Sequence, residues 1–290
     1  MTETKFNNKK VLVIGGAGFI GSHLIEKLLQ CGSEVTSLDD YSSGSIDNEI
    51  GGARYIKGKA IEIKQYFLND RFEYIFHLGE FSRVEMSFTM IDEVLKNNLS
   101  SFVEVISFAN EQKAKFIYSG SSTKFAIEES ENLHSPYSMS KAHNAYLLNH
   151  YAKWTGLNYC TTYYYNVYGG REIGKGDFST VVAKFLQLKK DGSTKLPVTK
   201  PGTQTRNFTH IDDIIAGIIL VALHGEGDNY GIGAEESFSI LDLVKMIGLE
   251  PEFIEESPGN RLTTKLATEK TKALGWEPKH CLENYLSKFL

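Results

Sequence analysis

The chain has 290 residues, 41% hydrophobic and 23% charged, enough to bury a core without disulfides or a structural metal. Its formal net charge of −5 comes from acidic and basic residues mixed along the chain, and no Lys/Arg run marks a nucleic-acid or membrane surface. Three widely spaced cysteines, Cys31, Cys160 and Cys281, form neither a disulfide framework nor a Cys-x-x-Cys metal site, and they suit a reducing compartment. Lys5, Lys9 and Lys10 read as a solvated strand entry. The polar start MTETKFNNKK runs straight into an apolar strand and does not read as a signal peptide. No apolar stretch approaches the roughly 18 residues of a membrane span. The expected location is cytoplasmic.

Short apolar runs then alternate with longer amphipathic stretches. Val11–Ile14 reads as a buried strand, followed by a helix from about Gly18 to Gln30. Strands follow at Glu34–Leu38, Arg54–Ile56, Tyr74–His77 and Lys115–Tyr118, the last two separated by a long helix from about Asp92 to Glu111. A helix from Pro136 to Thr155 precedes a strand at Tyr159–Tyr164. This alternation predicts an α/β fold, a doubly wound parallel sheet with helices on both faces, and the strands read as continuous apolar runs. After Tyr168 the segments shorten and Gly becomes frequent. The chain is therefore divided into a larger α/β domain at 1–168 and a smaller C-terminal domain at 169–290, with room for later segments to return to the first.

Between the first strand and helix stands Gly15-Gly16-Ala17-Gly18-Phe19-Ile20-Gly21. Glycines at this junction let backbone N–H groups and a helix N-terminus meet a pyrophosphate without a Cβ in the way. Asp39 ends the next strand about 20 residues on, where a ribose hydroxyl would lie, and its charge favours NAD over NADP. Ser135-Pro136 is a good helix opening, and Tyr137 and Lys141, four residues apart, share one helical face. A tyrosine with pKa ~10 is a poor base at neutral pH. An adjacent ammonium and an oxidised nicotinamide both favour the phenolate, which suits it to removing a hydroxyl proton.

The glycine spacing followed by Tyr-x-x-x-Lys resembles the extended short-chain dehydrogenase/reductase family, which includes nucleotide-sugar epimerases and dehydratases. The resemblance implies a Rossmann-type NAD domain, with cofactor contacts from Gly15, Gly18, Phe19, Ile20, Gly21, Asp39, Tyr137 and Lys141. Tyr118-Ser119-Gly120-Ser121-Ser122-Thr123 is similar to the family's Ser-Ser-Ser-Ala-Thr segment and puts Ser121 at the catalytic hydroxyl, with Ser119 or Ser122 as displaced substitutes. The family's 4,6-dehydratases carry an Asp-Glu pair directly after that hydroxyl, and its decarboxylases usually have Glu where Thr123 stands. Ser122 and Thr123 therefore point to simple hydride chemistry.

Tyr165-Asn166-Val167-Tyr168-Gly169-Gly170-Arg171 and Thr205-Arg206-Asn207-Phe208-Thr209-His210-Ile211-Asp212-Asp213 also resemble family segments. They imply that Asn166 contacts a nucleotide-diphosphate sugar and Arg206 its diphosphate, with Arg261 a second diphosphate ligand or a solvated loop arginine. Tyr230–Gly233 and Leu274–Pro278 resemble structural tail segments. In His77-Leu78-Gly79-Glu80 the family usually has His-Leu-Ala-Ala. Leu78 and Gly79 are expected at the cofactor, while the unusual Glu80 either reaches the sugar pocket or pairs with Arg83, the pair being favoured. Lys59 stands where an adenine-contacting Asp is common, and Asn98 matches the family's cofactor-side Asn in part. His23, His134, His143 and His210 show no metal-ligand spacing and are read as structural.

The reading is an NAD-dependent nucleotide-sugar epimerase, working at the sugar 4-position through a 4-keto intermediate. The alternatives are a 4-ketosugar reductase or a 2- or 3-epimerase, and, in another class, a non-catalytic NAD(H) sensor. The resemblance also implies a homodimer through the helices near 92–111 and 136–155.

Overall fold

A computed structural model describes residues 3–125, 135–255 and 265–289. Strands β1 (Lys10–Ile14), β2 (Glu34–Asp39), β3 (Arg54–Lys57), β4 (Tyr74–His77), β5 (Lys115–Ser121) and β6 (Tyr159–Tyr164) are joined by a seventh, Gly227–Ile232. Their order across the sheet is β3-β2-β1-β4-β5-β6 and then Gly227–Ile232, with every pairing parallel. The order reverses between β1 and β4, which opens a crevice at the carboxyl ends of those two strands.

Side chains alternate across the sheet, and each set finds its own helices. Val11, Val13, Phe76 and Ile117 pack with Leu24, Ile25 and Leu28 of helix Phe19–Gln30 and with Ile214, Ile218 and Val221 of helix Ile211–His224. Leu12, Ile14, Ile75 and Phe116 pack on the other face with Phe102, Val105 and Ile106 of helix Ser101–Gln112 and with Ala145 and Leu148 of helix Pro136–Thr155. Burying each such side chain stabilises the fold by about 1.5–3 kcal/mol, which is why the sheet needs cover on both sides. The edge strand β3 departs from the expected apolar run, since its residues are only half-buried or exposed.

A third apolar cluster, built from Tyr168, Val182, Phe185, Leu196, Val198, Phe208, Leu243, Val244 and Leu286, lies wholly after residue 167. Three two-stranded ribbons frame it, including the parallel pairing of Val167–Tyr168 with Thr209–His210. Residues 211–232 leave this region and return to the sheet as a helix and its last strand. Asp213 ties the tail to that helix: its carboxylate accepts Lys279 N and His280 N at 3.0 Å each, and its carbonyl accepts Trp276 Nε1 at 2.9 Å.

The long helix expected over 92–111 is broken. An α-helical turn at Ile91–Leu95 widens into a π-helical segment at Lys96–Ser100 before helix Ser101–Gln112 begins. The buried Asn98 sits on that wider turn, a device that often marks functional regions.

Candidate active site

At the end of β1, Gly15 has φ +86°, and a Cβ there would come within 2.6 Å of Gly79 N. The ends of β1 and β4 therefore touch backbone to backbone at the switch point. A Cβ on Gly21 would lie 2.0 Å from the Gly15 carbonyl oxygen, so helix Phe19–Gln30 starts directly against the turn. Its N-cap is Gly18, and among the described residues no side chain caps it. The first-turn N–H groups of Phe19, Ile20 and Gly21 are thus left for an anion. This cradle of backbone is what a dinucleotide pyrophosphate requires, and the residues present fit NAD.

Asp39 closes the same crevice from the end of β2. Its carboxylate accepts Ala17 N and Tyr41 N, each at 2.8 Å, so the acid is locked to the glycine turn. Burial raises its pKa, while those two N–H bonds pull the other way. Four lone-pair sites leave it capacity for ribose hydroxyls. Lys59 is exposed on the loop beyond β3.

Helix Pro136–Thr155 begins as its sequence dictates. Ser135 Oγ accepts Ser138 N at 3.0 Å, Pro136 occupies the first turn, and Gly156 ends the helix at φ +78°. Tyr137 is half-buried on the first turn and Lys141 is buried one turn later. Lys141 Nζ donates to the Ser119 carbonyl of β5 and to Glu80 Oε2, the latter at 2.6 Å, and lies 4.8 Å from the Tyr118 ring centroid. Ser121 ends β5, 8% exposed, and its Oγ accepts Thr123 N at 3.3 Å. The helix, the end of β5 and the loop after β4 are thereby drawn to one spot beside Gly79.

Glu80 does not pair with Arg83. The loop turns the two side chains apart, and the buried carboxylate takes Lys141, since a charge out of water must be neutralised by the cation it can reach. Arg83 instead donates through Nε to the Phe178 carbonyl at 3.0 Å and through Nη2 to the same oxygen, fastening Phe178 to the segment after β4. Burial lowers the Arg83 pKa, while the neighbouring Tyr137 and Glu172 act the other way.

Asn98 is spent on structure. Its Oδ1 accepts Phe81 N at 2.8 Å, and its Nδ2 donates to the Phe81 carbonyl and to Ser140 Oγ. It fixes the Leu78–Phe81 segment at the crevice, so its influence on a cofactor is indirect. Leu78 N donates to the Ile14 carbonyl at 2.9 Å, continuing the β1–β4 ladder to Gly79.

Asn166 is exposed at φ +38°, with Nδ2 donating to the Asn207 carbonyl at 3.3 Å. Arg206, half-buried on the neighbouring strand Thr205–Asn207, donates to the Thr205 carbonyl at 2.8 Å. Asn166 is thereby tied to the residue next to Arg206. Arg261 and His134 lie outside the described residues. His210, Asp212 and His280 do cluster, with ligand atoms all within 4.8 Å of one another. There His210 Nδ1 accepts Asp212 N as a helix cap, His280 Nδ1 meets the Asp213 carboxylate at 3.0 Å, and the two rings stack. Those contacts fit a structural role at the start of helix Ile211–His224.

The motifs single out neither Asn144, which donates to Glu80 and to the Asn98 carbonyl, nor Glu172. Burial lifts the Glu172 carboxyl to about 7, against hydrogen bonds from Thr180 and Gly169 N and the charge of Arg83. Such a group keeps its proton in the fold but loses it near 4.5 when unfolded. Its contribution to stability is therefore full below 4.5 and is lost as pH rises to about 7. Glu172→Gln should raise Tm above pH 7, by the equivalent of about 1–2 kcal/mol after allowing for partial exposure. Thermal melts from pH 4 to pH 8 check this; parallel profiles for the two proteins would sink it.

A parallel sheet with its switch-point crevice, a glycine cradle and an acid at the end of β2 define a dinucleotide-binding α/β enzyme. The chain belongs to the NAD dependent epimerase/dehydratase family, whose model matches residues 11–233. Among its relatives is a UDP-glucose 4-epimerase of Lactobacillus helveticus, 25% identical over 93% of this chain and 92% of its own. A dTDP-D-glucose 4,6-dehydratase of Bos taurus is 28% identical over 93% of this chain and 84% of its own. The solved UDP-glucose 4-epimerase of Thermotoga maritima with UDP-glucose superposes with a TM-score of 0.90, at 28% identity and 96% coverage of each chain.

Proposed function

We propose that the protein is an NAD-dependent nucleotide-sugar 4-epimerase. Epimerases and dehydratases are similarly close in sequence, so the reading rests on one local observation. Ser121 is followed by Ser122 and Thr123 at the start of a 3-10 turn, with no carboxylate at either place to serve elimination of water.

In this mechanism Tyr137 takes the proton of the sugar 4-hydroxyl, and Ser121 holds the oxygen as it becomes a carbonyl. Bound NAD supplies hydride acceptance and return. The glycine cradle and Asp39 hold the dinucleotide, while Asn166 and Arg206 hold the nucleotide diphosphate; Arg suits phosphate through its planar donor fork. The 4-keto sugar turns in the pocket so that the hydride would return to the opposite face of C4, and Tyr137 gives its proton back to the same oxygen. Residues 1–168 form the cofactor side and most of 169–290 the sugar side, with 211–232 completing the sheet.

The homodimer reading places the contact on helices Ser101–Gln112 and Pro136–Thr155. Exposed Val103, Tyr146 and Trp154 lie there, with His150 between the two aromatic rings at 4.6 and 5.9 Å. Trp154→Glu should convert a dimer to a monomer in light scattering; a wild-type monomer would end that reading. A cytoplasmic location is in keeping with cysteines that form no disulfide among the described residues. In addition, no described helix is long and apolar enough to cross a membrane.

The deciding experiment incubates the protein with a panel of nucleotide sugars, without added cofactor, and follows the sugar by NMR. Conversion to a 4-epimer supports the proposal. Consumption of added NADH on 4-keto sugars, with no epimerisation of the panel, would replace it with the reductase.

A further inference from the structure

The Tyr137–Lys141 pair has a third member that lies outside its motif. Glu80 follows β4, and its side chain is 1% exposed. Its Oε2 accepts Lys141 Nζ at 2.6 Å and Tyr118 OH at 2.9 Å. Its Oε1 accepts Asn144 Nδ2 at 3.0 Å and stands 3.3 Å from His77 Nε2, out of line for a hydrogen bond. Lys141 in turn directs two of its three donors to Glu80 and the Ser119 carbonyl, over the face of Tyr118.

From this geometry we infer that Glu80 is a positioning residue for proton transfer, orienting and neutralising Lys141 so that Tyr137 works beside a net-neutral Lys141–Glu80 unit. The inference rests on the assignment of Tyr137 and Lys141 as the proton-transfer pair. A cation and anion in contact present a dipole to Tyr137, and a dipole's influence fades faster with distance than that of one charge. A free ammonium would favour the phenolate strongly; the paired one favours it less.

The remaining charges around Tyr137 sharpen the point. Its own helix contributes Lys141. The segment after β4 contributes Glu80 and Arg83, the latter a neighbour of Tyr137 already bound to the Phe178 carbonyl. His77 of β4 and Tyr118 of β5, which burial keeps protonated, face Glu80, and Glu172 lies near Arg83. Burial acts to raise the Glu80 carboxyl, but the Lys141 charge, with His77 adding to it, outweighs this and leaves it at about 2. Glu80 is therefore an anion at any working pH. With Lys141 neutralised, Arg83 is a further cation near Tyr137 among the described residues, and an oxidised nicotinamide would add to it when bound.

The test reads Tyr137 itself in the full-length, cofactor-loaded protein. The phenolate is titrated by ultraviolet difference between each variant and the same variant carrying Tyr137→Phe. Glu80→Gln should lower the titration midpoint by about one pH unit, and Glu80→Asp, which keeps the charge, should leave it near the wild-type value. Lys141→Met, which strands the carboxylate, should raise the midpoint by a similar amount. The double variant Glu80→Gln/Lys141→Met should bring it back. An unmoved midpoint in Glu80→Gln, or a double variant that titrates like Lys141→Met, overturns the inference. If Glu80→Gln does not fold, the comparison of Lys141→Met with the double variant still decides. Because the readout needs no turnover, a failure of the nucleotide-sugar panel is distinguishable from a failure here.

Discussion

Tyr137→Phe should lower kcat by about 10²–10⁴-fold while the protein keeps its NAD and its melting temperature. The magnitude is that of losing a positioned general acid–base group. The structural cost should be small. Ser135 and Pro136, not Tyr137, start the helix, and the half-buried ring stays to pack as before. NAD is held by the glycine cradle and Asp39, which the substitution does not touch. Turnover by NMR and released cofactor by absorbance check the two halves separately. A variant within tenfold of wild type would remove Tyr137 from the mechanism, and loss of NAD would make it a binding residue instead.

Local chemistry made much of this site legible in the sequence. The helix Pro136–Thr155 was readable to both ends, because Ser135, Pro136 and Gly156 each carry a backbone preference that needs no tertiary partner. The sheet strands before residue 167, apart from the half-buried edge strand β3, were readable because a parallel sheet buries both faces and leaves continuous apolar runs. The glycine turn was readable because steric exclusion of a Cβ is a property of single residues.

What could not be read were partnerships across the fold. Glu80 and Arg83 stand three residues apart, a spacing that suggests a pair, but on a loop that spacing sets no common face. Their actual partners are 61 and 95 residues away. Asn98 looked like a cofactor residue, yet closure of the chain on Phe81 and Ser140 absorbs its amide. The π-helical turn that carries it escaped because apolar periodicity across 92–111 barely changes when one turn widens. The pKa of Glu172 is likewise a product of burial, which its neighbours Arg171 and Ile173 do not reveal.

Gly21→Ala should cost the protein its cofactor. At this position helix propensity argues the opposite way, since Ala is favoured over Gly by about 1 kcal/mol inside a helix. The new Cβ, however, would sit 2.0 Å from the Gly15 oxygen and 2.9 Å from Gly15 C and Gly16 Cα. These are backbone atoms of the cradle and cannot rotate aside as a side chain would. Either the helix moves off the turn or the turn opens, and both spoil the N–H groups that would hold the pyrophosphate. Overpacking of this kind costs about 1–3 kcal/mol, which exceeds the propensity gain. Spent at the binding site it weakens NAD by about ten- to a hundredfold. Gly156→Ala provides the control. It meets nothing within 4 Å, so it should lower stability through its positive φ by about 1 kcal/mol and leave NAD affinity alone. Isothermal titration of both variants separates the cases: if Gly21→Ala binds NAD as tightly as Gly156→Ala does, the turn is packing for the helix and the pyrophosphate is held elsewhere.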